Sequence, residues 1–271
     1  MSPRFRPPIR RKDTAKSHHY VDADGRRVPG VTTIVGSGVP KPALINWAAN
    51  TTADYAINRW DELERLPPAQ RLARLKAARY EEKDAAAKRG TDVHAFAERV
   101  IAGEAVQVPE ELAGHVEAYA RFLVEFDVQP VHVEFSVASY RYGYAGTADL
   151  IADVKVPRIG TQRLLLDLKT NRSGIYGETA LQLAAYRYAD VLLPRAGGEQ
   201  PMPEVDDCAA IHVRGDGYSL VPVTAGPEQH RQFLYAQQVA EFVDTASDLV
   251  GPAVEPPTTA AFRLVRQEQP A

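Results

Sequence analysis

Cysteine is almost missing from this 271-residue chain, in which Cys208 is the only one. A lone thiol closes no internal disulfide and builds no zinc knuckle or four-thiolate iron–sulfur cluster, so any bound metal must rest on oxygen and nitrogen ligands. Long apolar runs are absent as well. Nothing approaches the ~20 consecutive apolar residues of a membrane span, and the opening MSPRFRPPIRRK lacks the apolar core of a signal peptide. The expectation is a cytoplasmic protein with no membrane partner. There is no G-x-x-x-x-G-K-[ST] loop, hence no sign of an ATP-driven motor, and no internal repeat. Neither sign of charge dominates. The formal net charge is −3, so the overall field does not advertise a nucleic-acid binder.

What is present suffices for a globular protein: 45% hydrophobic residues against 25% charged excludes disorder throughout. Residues 1–18 read as a basic flexible arm, with Arg4, Arg6, Arg10, Arg11, Lys12 and Lys16 set against Asp13 alone. A solvated tail without function is an equally good reading of that arm. A single domain is expected over 19–250, followed by a flexible Pro/Thr/Gln tail at 251–271. Its parts are a hairpin from Tyr20 to Val35, a helical portion at 40–127 interrupted at Gly90, an α/β core at 88–225 and a closing helix at 227–250. The closing helix offers Tyr235, Val239, Phe242, Val243 and Ala246 as its apolar set.

At Val131 the hydrophobic period changes from helical to two. Val131, Val133, Phe135 and Val137 fall on one strand face, with His132, Glu134 and Ser136 on the other. Two more strands, GTADLIADV and QRLLLDLKT, flank a short turn. A helix is expected from Glu178 to Leu193, then the strands CAAIHVR and YSLVPV. A hairpin symmetric about Arg158 sets Leu150 opposite Leu166, Ala152 opposite Leu164, Asp153 opposite Arg163 and Asp149 directly opposite Asp167. Two carboxylates roughly 5 Å apart repel unless a cation lies between them. Mg²⁺ or Mn²⁺ suits such a pair, because hard ions favour carboxylate oxygen, water and phosphate. Lys169 projects from the face of Asp167 and is placed to neutralise charge on a phosphate under attack. The rival reading is an exposed strand with a neighbouring counterion, which apolar Ile151 and Leu165 on the same face argue against.

Other groups can converge there. His94 stands beside a helical apolar stripe with Glu98 one turn on, and Glu134 lies on the polar face of its strand; both acids are weaker candidates. Gln182 and Tyr186 share a helix face, although ordinary helix surface explains that spacing too.

Arg89-Gly90-Thr91-Asp92-Val93-His94, then Gly146-Thr147-Ala148-Asp149, then Asp167-Leu168-Lys169-Thr170, then Gln182-Leu183-Ala184-Ala185-Tyr186 resemble, in this order, the PD-(D/E)XK nuclease superfamily. The likeness is to its RecB-like branch, which includes phage-type exonucleases. It implies an α/β, restriction-endonuclease-like core: a mixed central sheet of about five strands flanked by helices, with a helical N-terminal portion. It also implies His94, Asp149 and Asp167 as metal ligands, with the Leu168 main-chain carbonyl beside them. Lys169 would be catalytic with the two aspartates, and Gln182, Tyr186 and Thr170 accessory groups toward DNA. The implied cofactor is Mg²⁺ or Mn²⁺, without an iron–sulfur cluster and without ATP. The implied activity is hydrolysis of phosphodiester bonds from DNA ends, in phage or bacterial recombination, repair or DNA processing. Double- or single-stranded DNA is then the partner, and a recombinase, single-strand-binding protein, helicase or second copy is compatible with it. For a phage protein the compartment is the host cytoplasm. The alternatives are a structure-specific or restriction-like endonuclease, a catalytically inert DNA-binding recombination accessory protein, and a hydrolase of nucleotides or other small phosphoesters.

Overall fold

Apolar residues at period two collect in one sheet, and those at helical spacing collect in the layers that cover it. The computed structural model describes residues 5–14, 17–194 and 197–254; most of the expected C-terminal tail lies outside them. The chain opens with a small antiparallel sheet of β1 (Arg10–Asp13), β2 (His18–Val21) and β3 (Arg27–Val28). Over its described residues, 5–14 and 17–18, this corrects the expected free arm, whose other residues lie outside the described ones. Phe5 and Ile9 are buried against Tyr20, Val28, Ala138 and Ala145, so two apolar anchors within a basic segment dock it onto the domain. The expected hairpin also ends early. Val31, Ile34 and Val35 have the i, i+3, i+4 spacing of a helix face and are the buried residues of α1 (Val31–Gly38), their β-branching notwithstanding.

Next come α2 (Pro42–Asn58), α3 (Trp60–Leu63), α4 (Pro68–Ile101) and α5 (Glu110–Glu125). The expected break at Gly90 does not occur, since α4 runs through it without interruption. A helix-interior glycine costs about 1 kcal/mol relative to alanine. Here it permits close approach, because a Cβ at Gly90 would lie 3.4 Å from Thr170 Oγ1.

The sheet itself contains β4 (Gln129–Ser139), β5 (Tyr144–Val156), β6 (Gly160–Lys169), β7 (Val191–Leu193), β8 (Gln200–Pro201), β9 (Asp207–Arg214) and β10 (Gly217–Pro222). Their order is β10-β9-β6-β5-β4-β7-β8, and β6–β9 is the parallel pair in an otherwise antiparallel arrangement. The five expected strands become seven because the short β7 and β8 extend one edge. The helix expected to reach Leu193 stops at Arg187 as α6 (Glu178–Arg187), and its last apolar residues pair with β4 as β7 instead.

One sheet face packs Ile151 and Leu165 against α1, α6 and the C-terminal helix α7 (Pro227–Thr245). The other packs Leu150, Ala152, Val154, Leu164, Leu166 and Leu168 against α4 and α5. The expected apolar set of α7 faces outward: Tyr235, Val239, Phe242 and Val243 are exposed, while Phe233, Ala236 and Ala240 are buried. The sheet takes the stripe whose shape it can accommodate. Phe233 meets Tyr144 edge-on at 5.0 Å, and small Ala236 lets the main chain of α1 close in at Gly38, where a Cβ would lie 2.0 Å from the Ala236 carbonyl oxygen. Among the described residues no helix is long and apolar enough to cross a membrane.

Candidate active site

β5 and β6 pair from Val156↔Gly160 to Leu150↔Leu166 in the register the sequence implies, and Arg158 takes a left-handed φ of 67° in the turn. Arg163 grips Asp153 through Nε–Oδ1 at 2.8 Å and Nη2–Oδ2 at 3.0 Å, a structural pair at the outer end of the hairpin. The ladder stops one step before the two aspartates, so Asp149 and Asp167 are not a paired position. Here β6 continues alongside β9 as Asp167↔Ala210, Leu168↔Ile211 and Lys169↔His212. Asp149 Oδ2 instead accepts the Leu168 N–H at 2.6 Å. The Leu168 N–H on Asp149 and the ammonium of Lys169 on Asp167 offset part of their mutual repulsion, which persists as the upward push of Asp149 on the Asp167 pKa.

The neighbouring strand also breaks its rule here. The register of β4 shifts between Pro130 and His132, leaving Val131 exposed, and Glu134 adopts a left-handed φ of 46°. Val133 therefore packs with the cluster of Leu150, whereas Phe135 and Val137 join the cluster on the opposite face. The single apolar face expected for this strand is thus split at Glu134. A non-glycine residue in this conformation costs about 1–2 kcal/mol. The kink sets the Glu134 carboxylate beside His94, which α4 delivers from across the sheet. His94 Nδ1 lies 3.8 Å from Glu134 Oε1 and 3.6 Å from Asp149 Oδ1, and His94 Nε2 lies 3.0 Å from the Leu168 carbonyl. One ligand atom from each of His94, Glu134 and Asp149 falls within 4.8 Å of the others. Glu98, one turn along and half-buried, is not in this group.

Asp167 turns toward the opposite wall. Its Oδ2 is 2.6 Å from Lys169 Nζ, and its Oδ1 accepts from Gln182 Nε2 at 2.7 Å. Gln182 Oε1 accepts from Lys169 Nζ at 3.1 Å, and Nε2 also donates to the Tyr186 hydroxyl at 3.2 Å. The i, i+4 pair on α6 therefore belongs to the site and is not plain helix surface. These side chains, with Thr170, Asn171, Thr147 and Thr32, line one cleft of about 330 Å³.

Sequence reasoning undervalued Glu134, whose backbone conformation carries no sequence signal. It quoted Thr147 in a motif but gave it no role of its own. Thr147 Oγ1 is 2.7 Å from the Tyr20 hydroxyl and accepts from Arg11 Nη1 at 3.1 Å, so the N-terminal sheet braces the wall of the cleft.

Burial raises the pKa of Asp167 to about 6: Asp149 adds to the shift, and Lys169 opposes it. Burial likewise raises Asp149. For His94 burial disfavours the charged ring, but Asp149, Glu134 and Asp167 outweigh it and push the pKa up to about 9. Lys169 follows the same logic, with burial overcome by Asp167 and Asp149, so its pKa stands above the ordinary 10.5. A divalent cation fits this donor set. One imidazole and several carboxylates form an oxygen-rich shell, and buried Asp167 Oδ2 has an ammonium contact but no hydrogen bond of good geometry.

No family model and no curated protein matches this chain. A solved protein described as "Crystal structure of SSO0001" is similar to it at 11% identity and a TM-score of 0.28, over 82% of this chain and 76% of that one. Likeness of that degree carries no argument, and the site stands on its own geometry.

Proposed function

We propose that this chain is a Mg²⁺- or Mn²⁺-dependent deoxyribonuclease of the PD-(D/E)XK type, RecB-like and without an iron–sulfur cluster. In this reading it hydrolyses phosphodiester bonds from DNA ends, in recombination, repair or DNA processing. The observation that carries the reading is the meeting in one cleft of His94 from α4, Asp149 from β5, Asp167 and Lys169 from β6, and Gln182 from α6, with Glu134 from β4 beside His94 and Asp149.

When bound, the metal held by His94, Glu134 and Asp149 beside Asp167 would polarise the phosphate and acidify the attacking water. Lys169 stays an ammonium near neutrality, because Asp167 and Asp149 hold its pKa up. It therefore acts on charge building at the phosphate oxygens rather than as a general base. Gln182 fixes both Lys169 and Asp167, and the Leu168 carbonyl orients His94.

The test is incubation with matched linear and closed-circular DNA in Mg²⁺, Mn²⁺ or EDTA, beside Lys169→Ala. Metal-dependent loss of linear DNA alone, by the unsubstituted protein only, is the expected result. Cutting of circles would replace the end-dependent reading with an endonuclease, and binding without cutting would leave an accessory protein.

A further inference from the structure

One side of the cleft is differently charged. Beyond Lys169 the chain continues as Thr170, Asn171 and Arg172, of which Thr170 and Asn171 line the cleft. Buried His212 of β9 has Nε2 2.7 Å from the Asn171 carbonyl, and Arg214 Nη1 lies 3.1 Å from His212 Nδ1. The guanidinium can only donate, so His212 accepts at Nδ1 and donates from Nε2. This chain of contacts ties Arg214 to the cleft wall.

Arg89 immediately precedes Gly90, whose backbone lies against Thr170. His115 of α5 touches the β9–β10 turn at Gly215, and its Nδ1 is buried without a hydrogen-bond partner. Its pKa is lowered first by burial and then by the charges of Arg89 and Arg172, with Asp216 opposing them. Among the described residues neither Arg89 nor Arg172 has a carboxylate partner. Arg214 pairs with Asp216 at 3.3 Å, but that aspartate side chain is 84% exposed and offsets little. Arg89 and Arg172 near His115, with Arg214 held at the cleft wall through His212 and the exposed Asp216 as countercharge, make this side of the cleft favourable to an anion.

We propose that Arg89, Arg172, Arg214 and His115 bind the phosphodiester backbone of the strand whose scissile phosphate enters the carboxylate site. The substrate is then a polynucleotide spanning several phosphates, rather than a nucleotide or small phosphoester. This inference rests on the nuclease reading of the adjoining cleft.

The experiment uses the full chain in EDTA and follows the fluorescence anisotropy of a labelled single-stranded dodecanucleotide across a salt series. Arg172→Ala and Arg214→Ala should each weaken binding about tenfold at low salt and flatten the log–log salt slope by about 0.7. Arg231→Ala, an exposed site on α7, should change neither. Unaltered affinity and slope in both variants, or no binding by the unsubstituted protein, would overturn the strip. Hydrolysis of bis(p-nitrophenyl) phosphate by the unsubstituted protein with Mn²⁺ judges the nuclease reading separately. Strip-dependent binding without that hydrolysis or any DNA cleavage would sink the nuclease reading and leave the strip standing.

Discussion

Lys169 sits 2.6 Å from Asp167, whose side chain is 3% exposed, and replacing it with methionine removes the ammonium while keeping most of the volume. The cost should depend on pH in a way that reports this pairing. The folded pKa of Asp167, about 6, is raised above its ordinary value of 3.8 mainly by burial. A carboxyl raised on folding contributes most stability while protonated. The unsubstituted, metal-free protein therefore loses that contribution as pH climbs from 3.8 to about 6, and then levels off. Without the ammonium the folded pKa moves higher, so Lys169→Met goes on losing stability above pH 6. The gap between the two proteins should be near zero at about pH 5. Above about pH 6 it should widen, by at most about 1.4 kcal/mol per unit, until the carboxyl of the variant ionises in turn. Urea unfolding in EDTA at several pH values measures the gap directly. A deficit that stays flat from about pH 5 to about pH 8 would show that Lys169 does not stabilise Asp167, and the electrostatic account of the site would fall with it.

Lys169→Ala should abolish DNA cleavage while circular dichroism shows an intact fold. His94 must lose a proton to bind a metal and its pKa is about 9, so Mn²⁺ affinity by calorimetry should rise up to tenfold per pH unit as pH approaches about 9. His94→Ala should weaken that binding and flatten its pH dependence. Arg163→Ala removes a half-exposed bidentate pair and should lower stability slightly in urea unfolding without loss of cleavage. At Gly146 a Cβ would lie 2.5 Å from buried Tyr186, so Gly146→Ala should lower both stability, by about 1–3 kcal/mol, and turnover. Gly38→Ala meets the Ala236 backbone instead and should lower stability alone.

The hairpin was legible because its register is set by pairing: Leu150, Ala152, Leu164 and Leu166 are uniformly apolar, and a slip of one residue would turn them to the opposite sheet face and part Asp153 from Arg163. The i, i+4 spacing likewise placed Gln182 and Tyr186 on one helix face, although only the fold shows that this face meets Asp167. Period alone could not choose between the two stripes of α7, since both are apolar; the choice was made by Phe233 meeting Tyr144 and by the closeness of Gly38. Nor could composition show that Phe5 and Ile9 anchor the basic N-terminal segment, because two apolar residues among so many cations read as chance.

Three departures from the local rules meet around the cleft. α4 tolerates a mid-helix glycine where it passes Thr170, β4 takes a left-handed residue at Glu134, and the β5–β6 ladder stops beside Asp149 and Asp167. Each departure would weaken its own element. Together they let the helix approach the end of the strand, turn a carboxylate toward His94, and leave Asp149 free to take the Leu168 N–H while Asp167 meets Lys169 and Gln182. Elsewhere on the sheet, propensity, period and register agree along β6, β9 and β10. Local irregularities that cluster in space and share ionisable neighbours are what selection for chemistry leaves in a fold otherwise built for stability. That coincidence supports the proposed site on grounds that owe nothing to resemblance to another protein.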